Sequence, residues 1–166
     1  MRNGKDMDTP IRDMSGDAVK QFWAKVTKGN GCWEFQGWAD PKGYRHFQGS
    51  LAHRFAYEQV NGPIPSGALL DHLCWNRGCV NPEHLRAVSD AQNQQNRAGA
   101  NGSSKSGLRG VYYVTATGRW RAEATLNYKR YSLGHHDTKE EAHAAVTQWR
   151  REHMQFSEQD KPKKVA

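Results

Sequence analysis

The sequence predicts an α+β chain built in two parts, each a small set of strands carrying helices. Three observations predict it. Short alternating segments separated by turn residues fill the chain up to about position 88. A polar, Gly/Ser-rich stretch without apolar periodicity, QQNRAGANGSSKSG from Gln94 to Gly107, interrupts it. Beyond that stretch, strand-like alternation gives way to one amphipathic helical pattern, as expected for a small antiparallel sheet with one packed helix. On this division residues 1–14 are a loosely ordered N-terminus, 15–97 a first domain, 98–106 a linker, 107–156 a second domain and 157–166 a basic tail.

In the first part, Val19, Phe22, Trp23 and Val26 recur at helical spacing until Gly29-Asn30-Gly31 stops the run. CWEFQGW then alternates as a strand, ADPKG supplies turn residues, and YRHFQ gives a second short strand. AHRFAYEQVNG reads as a helix burying Phe55 and Val60 and ending at Gly62 before Pro63. Ala68 to Leu70 form an apolar strand running into Asp71 and His72, and Ser89 with Gln92 fits a capping box that starts another helix.

In the second part, Trp120, Ala122, Ala124 and Leu126 share one strand face, while Arg119, Arg121, Glu123 and Thr125 share the other. One face is core and the other charged. Thr138 and Glu141 form a second capping box, after which Ala142, Ala145, Val146 and Trp149 make a stripe suited to packing on the sheet. Trp120 and Trp149 belong to the core on this reading.

Composition narrows the function. The 166 residues carry a formal charge of +7 and are only 36% hydrophobic, with a pI near 9.5 and a mean hydropathy of −0.95. Basic balance favours a polyanionic partner, and the low apolar fraction implies that something besides burial braces the fold. Three cysteines cannot all pair within the chain, no apolar leader follows MRNGKDMDTPIRD, and no stretch approaches the ~20 apolar residues of a membrane helix. These features argue against secreted and membrane roles and predict a reducing, cytoplasmic compartment.

The chemistry concentrates in DHLCWNRGCVNPEHL, Asp71 to Leu85. Cys74, Cys79 and His84, completed by Cys32, supply the three thiolates and one imidazole that a structural, tetrahedral Zn²⁺ takes, with Zn–S near ~2.3 Å. The competing reading is three small buried hydrophobes. His72 stands apart from the set, because on a continuing strand it and Asp71 leave on opposite faces. With an ordinary pKa near ~6.5 it suits proton abstraction at neutral pH, and Asp71 offers a hard oxygen ligand to Mg²⁺-type ions.

His72, Cys74, Cys79, His84 and Asn93, at offsets of 2, 7, 12 and 21 from the first histidine, resemble the His-Cys box homing endonucleases of the HNH, or beta-beta-alpha-metal, nuclease superfamily. GCWEFQG, the AHR at Ala52 to Arg54 and GPIP extend the likeness to phage and bacterial HNH endonucleases over about Phe22 to Arg97. The resemblance implies a beta-beta-alpha-metal domain in which His72 is the general base and Asn93, with Asp71, holds one catalytic Mg²⁺ or Mn²⁺. It further implies that a backbone carbonyl near Cys79 orients the His72 ring, that Cys32, Cys74, Cys79 and His84 hold structural Zn²⁺, and that Arg54 contacts phosphate.

SGLRGVYYVTATGRWRAEATLNYKRYSLGHHDTKEEAHAAV resembles the Apetala-two type DNA-binding domain, through its RGV start, its G-R-W strand, its S-L-G turn and its T-x-E-E-A helix. The resemblance implies that the sheet enters the major groove of double-stranded DNA, with Arg109, Tyr112, Arg119, Arg121, Glu123, Thr125 and Arg130 facing it. Together the two likenesses imply a sequence-directed, homing-type DNA endonuclease of a bacterial or phage-infected cell. The alternatives are a non-catalytic, zinc-braced DNA-binding or regulatory protein and a zinc-stabilised RNA-processing module.

Overall fold

The structure, a computed structural model, describes residues 16–161. The N-terminal segment read as loosely ordered, and residues 162–166 of the basic tail, lie outside the described residues. The chain divides into two compact units at Ser89/Asp90. Among the described residues, no helix is long and apolar enough to cross a membrane.

The first unit is organised around four phenylalanines. Helix α1, Gly16–Ala24, buries Ala18 and Phe22, and Phe22 stacks on Phe35 with ring centroids 4.9 Å apart, lies tilted against Phe55 at 4.7 Å and meets Phe47 edge-on at 5.2 Å. Aromatic pairs in these geometries add to plain area burial, which matters in a chain with little apolar surface. Val26 leaves the helical series and opens strand β1, Val26–Lys28, which pairs antiparallel with β2, Trp33–Phe35. Strands β3, His46–Phe47, and β4, Ser50–Leu51, close a two-residue hairpin. Its turn residues Gln48 and Gly49 both hold positive φ, the geometry that matches strand twist.

Strand β4 feeds directly into α2, Ala52–Asn61, which buries Ala52, His53, Phe55 and Ala56 and ends at Gly62, whose amide donates to the Glu58 carbonyl. Val60 is not in the core. It is 64% exposed, because five residues beyond Phe55 on a 3.6-residue turn is about 140° around the helix. Strand β5, Leu69–His72, then pairs antiparallel with β6, Leu85–Val88, placing Asp71 opposite Arg86 and His72 opposite Leu85.

The second unit begins with α3, Asp90–Gln95. Strands β7, Val111–Val114, β8, Arg119–Leu126, and β9, Lys129–His136, form one antiparallel sheet in chain order. Helix α4, Lys139–His153, packs on it, and its predicted capping box is complete: Glu141 N–H donates to Thr138 Oγ1 at 3.2 Å while Thr138 N–H donates to the Glu141 carboxylate at 3.1 Å. Val111, Ala122, Ala142 and Val146 form the core, with Leu108, Trp120, Leu133 and Ala145 against it.

Two features differ from the sequence reading. The polar segment after α3 contains no regular element, but its end is tied into this unit: buried Ser106 donates through Oγ to the Val111 carbonyl at 2.6 Å and accepts from Leu108 N–H at 3.1 Å. Residues 157–161, read as part of a solvated tail, instead pack. Ser157 and Asp160 are buried, and Asp160 meets Arg150 of α4 at 2.7 Å. Gln95 and Asn96 join the same assembly by accepting from the amides of Phe156 and Glu158, both at 3.3 Å.

Candidate active site and metal centre

Three segments converge to build a cluster of soft donors. Cys32 enters at the start of β2, Cys74 and Cys79 lie in the loop that leaves β5, and His84 ends the short 3₁₀ turn Pro82–His84 before β6. The Asn-Pro step makes that turn. Asn81 Oδ1 accepts from Glu83 N–H at 3.0 Å, Pro82 takes the first position where no amide is needed, and Asn81 Nδ2 reaches the Gly31 carbonyl at 2.9 Å. Val80 N–H donates to the Trp33 carbonyl at 2.9 Å, stitching the loop to β2 beside Cys32.

The ligand atoms of Cys32, Cys74, Cys79 and His84 all lie within 4.8 Å of one another. His84 Nδ1 is 3.7 Å from Cys32 Sγ and 3.6 Å from Cys79 Sγ. A tetrahedral ion with bonds of ~2.3 Å to sulfur and ~2.05 Å to nitrogen sets its S···N edges at about 3.6 Å. Donor chemistry and spacing therefore suit one metal ion. Hydrogen bonding with the Cys74 thiol draws the Cys79 pKa down to about 4 against the opposing effect of burial, helped by the backbone at Asn81 and Trp33 and by His84. The same sharing pushes Cys74 up.

Strand β5 ends at His72, which is buried, as is Asp71. Their side chains part: Asp71 Oδ2 accepts from Arg86 Nε at 3.0 Å and Nη2 at 2.8 Å, whereas His72 Nε2 lies 3.2 Å from the Cys79 carbonyl oxygen. A carbonyl can only accept, so Nε2 carries the proton and the neutral ring presents Nδ1 as its basic nitrogen. Burial lowers the His72 pKa, opposed by the hydrogen bond to Cys79 and by the charges of Cys79 and Asp71.

Two neighbours of His72 were not singled out from the sequence. His53, on the first turn of α2, sits 4.8 Å from the His72 ring, and Tyr44 sits 6.1 Å from His72 and 5.4 Å from His53. His53 is 4% exposed and its Nδ1 has no hydrogen-bond partner among the described residues. Burial, then the charges of His72, Arg54 and His46, hold its pKa well below the usual histidine value. The AHR triplet was the available signal, but attention went to its arginine. Arg54 itself is half-buried and has no carboxylate partner among the described residues. Asn93 lies within α3, in the second unit, half-buried.

In the second unit, strand register gathers most of the expected row. Arg119, Arg121, Glu123 and Thr125 alternate along β8, Tyr112 pairs with Arg121, and Arg130 pairs with Thr125, so these six share the sheet face away from α4. Glu123 lies between cations, 3.7 Å from Arg121 and 3.9 Å from Arg130, and the Arg121 guanidinium lies over the Tyr112 ring. Arg109 does not join them. Its guanidinium donates to the Gln95 and Gln94 carbonyls at 2.9 and 3.2 Å, the end of α3 where unsatisfied acceptors collect. Burial and the neighbouring Arg150 and Arg97 lower its pKa to about 10.

Comparison with known proteins agrees with this division. Residues 50–95 match the family model of the HNH endonuclease, and residues 106–153 match that of the AP2 domain, so the chain has an HNH plus AP2-like architecture in which both segments imply DNA binding. The uncharacterized gene 5.3 protein of Enterobacteria phage T3 is 50% identical over 44 residues, 26% of this chain and 41% of that protein. Protein 2.8 of Escherichia phage T7 is 39% identical over 70 residues, 42% of this chain and 50% of that protein. Protein 3.8 of the same phage is 30% identical over 118 residues, 70% of this chain and 96% of that protein. The chain spans half or less of the length of the first two of these relatives. No solved structure matches.

Proposed function

Because the chain belongs to the family of Protein 3.8 of Escherichia phage T7 and joins an HNH segment to an AP2 domain, we propose that it is a sequence-directed, homing-type DNA endonuclease of the phage-infected bacterial cytoplasm. The observation that carries the reading is the 3.2 Å contact of His72 Nε2 with the Cys79 carbonyl oxygen. That contact orients a buried strand-end imidazole through Nε2, as a general base held by its second ring nitrogen requires.

In this reading His72 Nδ1 takes a proton from water as the water oxygen attacks phosphorus, and the bond to the 3′ oxygen breaks. Asp71 would offer an oxygen ligand to the divalent ion, Mg²⁺ or Mn²⁺, and Asn93 would be the second ligand on the HNH pattern. When bound, that ion supplies positive charge against the phosphate and the departing oxygen. Arg54 adds charge for the phosphate. Zn²⁺ is the ion proposed for Cys32, Cys74, Cys79 and His84, supported by three sulfur donors and tetrahedral spacing. It braces the loop whose Cys79 carbonyl orients His72. The sheet row of Tyr112, Arg119, Arg121, Glu123, Thr125 and Arg130 reads the duplex, without Arg109, whose donors hold α3.

A second reading, DNA binding without cleavage, is favoured by one observation: the Asp71 carboxylate is engaged by Arg86 at 2.8 Å. Cleavage of supercoiled and linear duplex DNA with Mg²⁺ or EDTA, comparing the wild-type chain with His72→Ala, separates the two. The endonuclease reading expects metal-dependent strand scission that falls roughly 10²–10⁴-fold in the variant, with DNA affinity kept. Equal scission by both proteins removes His72 as the base, and no scission by the wild type leaves the binding reading.

A further inference from the structure

The loop between Cys74 and Cys79 carries a cation, Arg77, that a metal centre by itself has no need of. Its backbone is fixed on the following side, where Gly78 N–H donates to Asn76 Oδ1 at 3.0 Å and Cys79 N–H donates to the Asn76 carbonyl at 3.1 Å. Its guanidinium lies over the Tyr44 ring, 5.5 Å from the centroid, and Nη1 donates to the Lys42 carbonyl at 3.1 Å. That one hydrogen bond occupies one of the five N–H donors an arginine offers. Arg77 is exposed and has no carboxylate partner among the described residues. Arg86, by contrast, is paired with Asp71.

The same Tyr44 ring lies 6.1 Å from His72. Because the guanidinium lies 5.5 Å and the imidazole 6.1 Å from the same ring centroid, the two are within about 12 Å of each other. At roughly 3.4 Å of rise per nucleotide along one strand, that reach covers about three nucleotides of a duplex laid over His72. The loop also holds Trp75 at φ +56 with 41% of its surface exposed. A bulky side chain in left-handed backbone is strained, and such strain gathers where a segment is shaped for binding rather than for stability.

We propose that Arg77 is a phosphate-binding residue: stacked on Tyr44 and carried by the metal-ligating loop, it grips the DNA backbone within about three nucleotides of the cut. The inference rests on the nuclease reading for the position of the cut, though not for the contact itself. A planar guanidinium with unused donors matches a phosphodiester, and stacking limits the freedom it loses on binding. The cluster of Cys32, Cys74, Cys79 and His84 thus serves two groups at once, the imidazole through the Cys79 carbonyl and the cation through the loop.

The test uses the full chain, wild type against Arg77→Gln and Arg77→Lys, each checked for metal content. Binding to one duplex is measured across a salt series, and cleavage at one stated salt concentration. Arg77→Gln is expected to flatten the slope of log K against log [salt] by about 0.9, the loss of one phosphate contact, and to lower kcat/KM about tenfold, mostly through KM. Arg77→Lys is expected to keep the slope. In the wild type, duplex DNA is expected to block phenylglyoxal labelling of Arg77, a measurement independent of whether the variants fold. An unchanged slope in Arg77→Gln, or labelling indifferent to DNA, overturns the proposal. A wild type that cleaves no duplex while the slope still shifts removes the nuclease reading and leaves Arg77 a DNA contact.

Discussion

The Cys79 residue meets the His72 imidazole at 3.2 Å through its carbonyl oxygen, while its own sulfur lies 3.6 Å from His84 Nδ1. One residue therefore joins the Cys/His cluster to the imidazole that the nuclease reading makes the base. Structural zinc contributes apparent folding free energy on the order of 10–16 kcal/mol in small zinc modules, more than a small apolar core supplies. Stripping the metal with a strong chelator is expected to abolish the thermal transition of the first unit, to remove cleavage even with Mg²⁺ in excess, and to spare the transition of the second unit. Calorimetry with and without added Zn²⁺ checks this. A chelated chain that keeps both transitions contradicts it.

His53 makes the first unit sensitive to mild acid. Its pKa in the fold lies well below 6.5, its ordinary value, because burial and then the charges of His72, Arg54 and His46 disfavour the cation. A histidine whose folded pKa is depressed gains protons on unfolding. Its contribution to stability is complete above pH ~6.5 and is lost as pH falls toward the folded pKa, with a slope of up to about 1.4 kcal/mol per pH unit for one proton. Urea melts of the first unit between pH 7.5 and 5 are expected to show that fall, and His53→Phe to flatten it. A slope unchanged by His53→Phe would assign the acid sensitivity to other groups.

Gly110 is the residue on which the second sheet depends. It holds φ +79, and a Cβ there would meet the Glu123 carbonyl oxygen at 2.3 Å, in the place where Glu123 N–H donates to the Gly110 carbonyl at 2.8 Å. That close approach extends the pairing of β7 with β8 by one residue beyond Val111 and Ala122. Gly110→Ala is expected to cost roughly 2–4 kcal/mol, combining left-handed strain with backbone displacement. Chemical denaturation of the second unit measures it, and a loss under about 0.5 kcal/mol would show that the strand moves without penalty.

What the sequence made legible follows from how local each signal is. The meeting of the four Cys and His side chains was readable because Cys74, Cys79 and His84 are close in sequence and only Cys32 had to be recruited from afar. The β8 faces were readable because alternation states which side a residue takes. Tyr44 and His53 were not, because their meeting with His72 joins three separate elements, and periodicity is silent about which element faces which. Arg109 looked available for DNA from its place at the start of the AP2-like pattern, and nothing local reveals that the carbonyls of Gln94 and Gln95 bind it. Val60 looked apolar enough for the core, yet helical phase turned it outward.

Arg150 is the most surprising of the hidden residues, since it occupies a polar stretch of α4 yet is 2% exposed. Its Nε and Nη2 donate to the two Asp160 oxygens at 2.7 and 2.9 Å, and Ser157 Oγ donates to the same carboxylate at 2.5 Å. Burial alone would raise the Asp160 pKa, but the hydrogen bonds of Arg150 and Ser157 and the charges of Arg150 and Arg109 outweigh it and hold the carboxyl below its ordinary 3.8. A carboxyl depressed in the fold contributes stability that is full above the unfolded pKa and is lost as pH falls through the folded one. The second unit should therefore resist acid down to about pH 4 and weaken only below it, in contrast to the first. Breaking the pair leaves a buried charge without its partner, so Asp160→Asn and Arg150→Met are each expected to destabilise the second unit by roughly 3–5 kcal/mol. The double variant is expected to recover part of that loss, because neither charge then remains buried alone. Denaturant melts of the three variants at pH 7 and pH 3.5 decide the matter. Additive losses in the double variant would mean that the two residues stabilise the unit independently and that the ion pair is incidental.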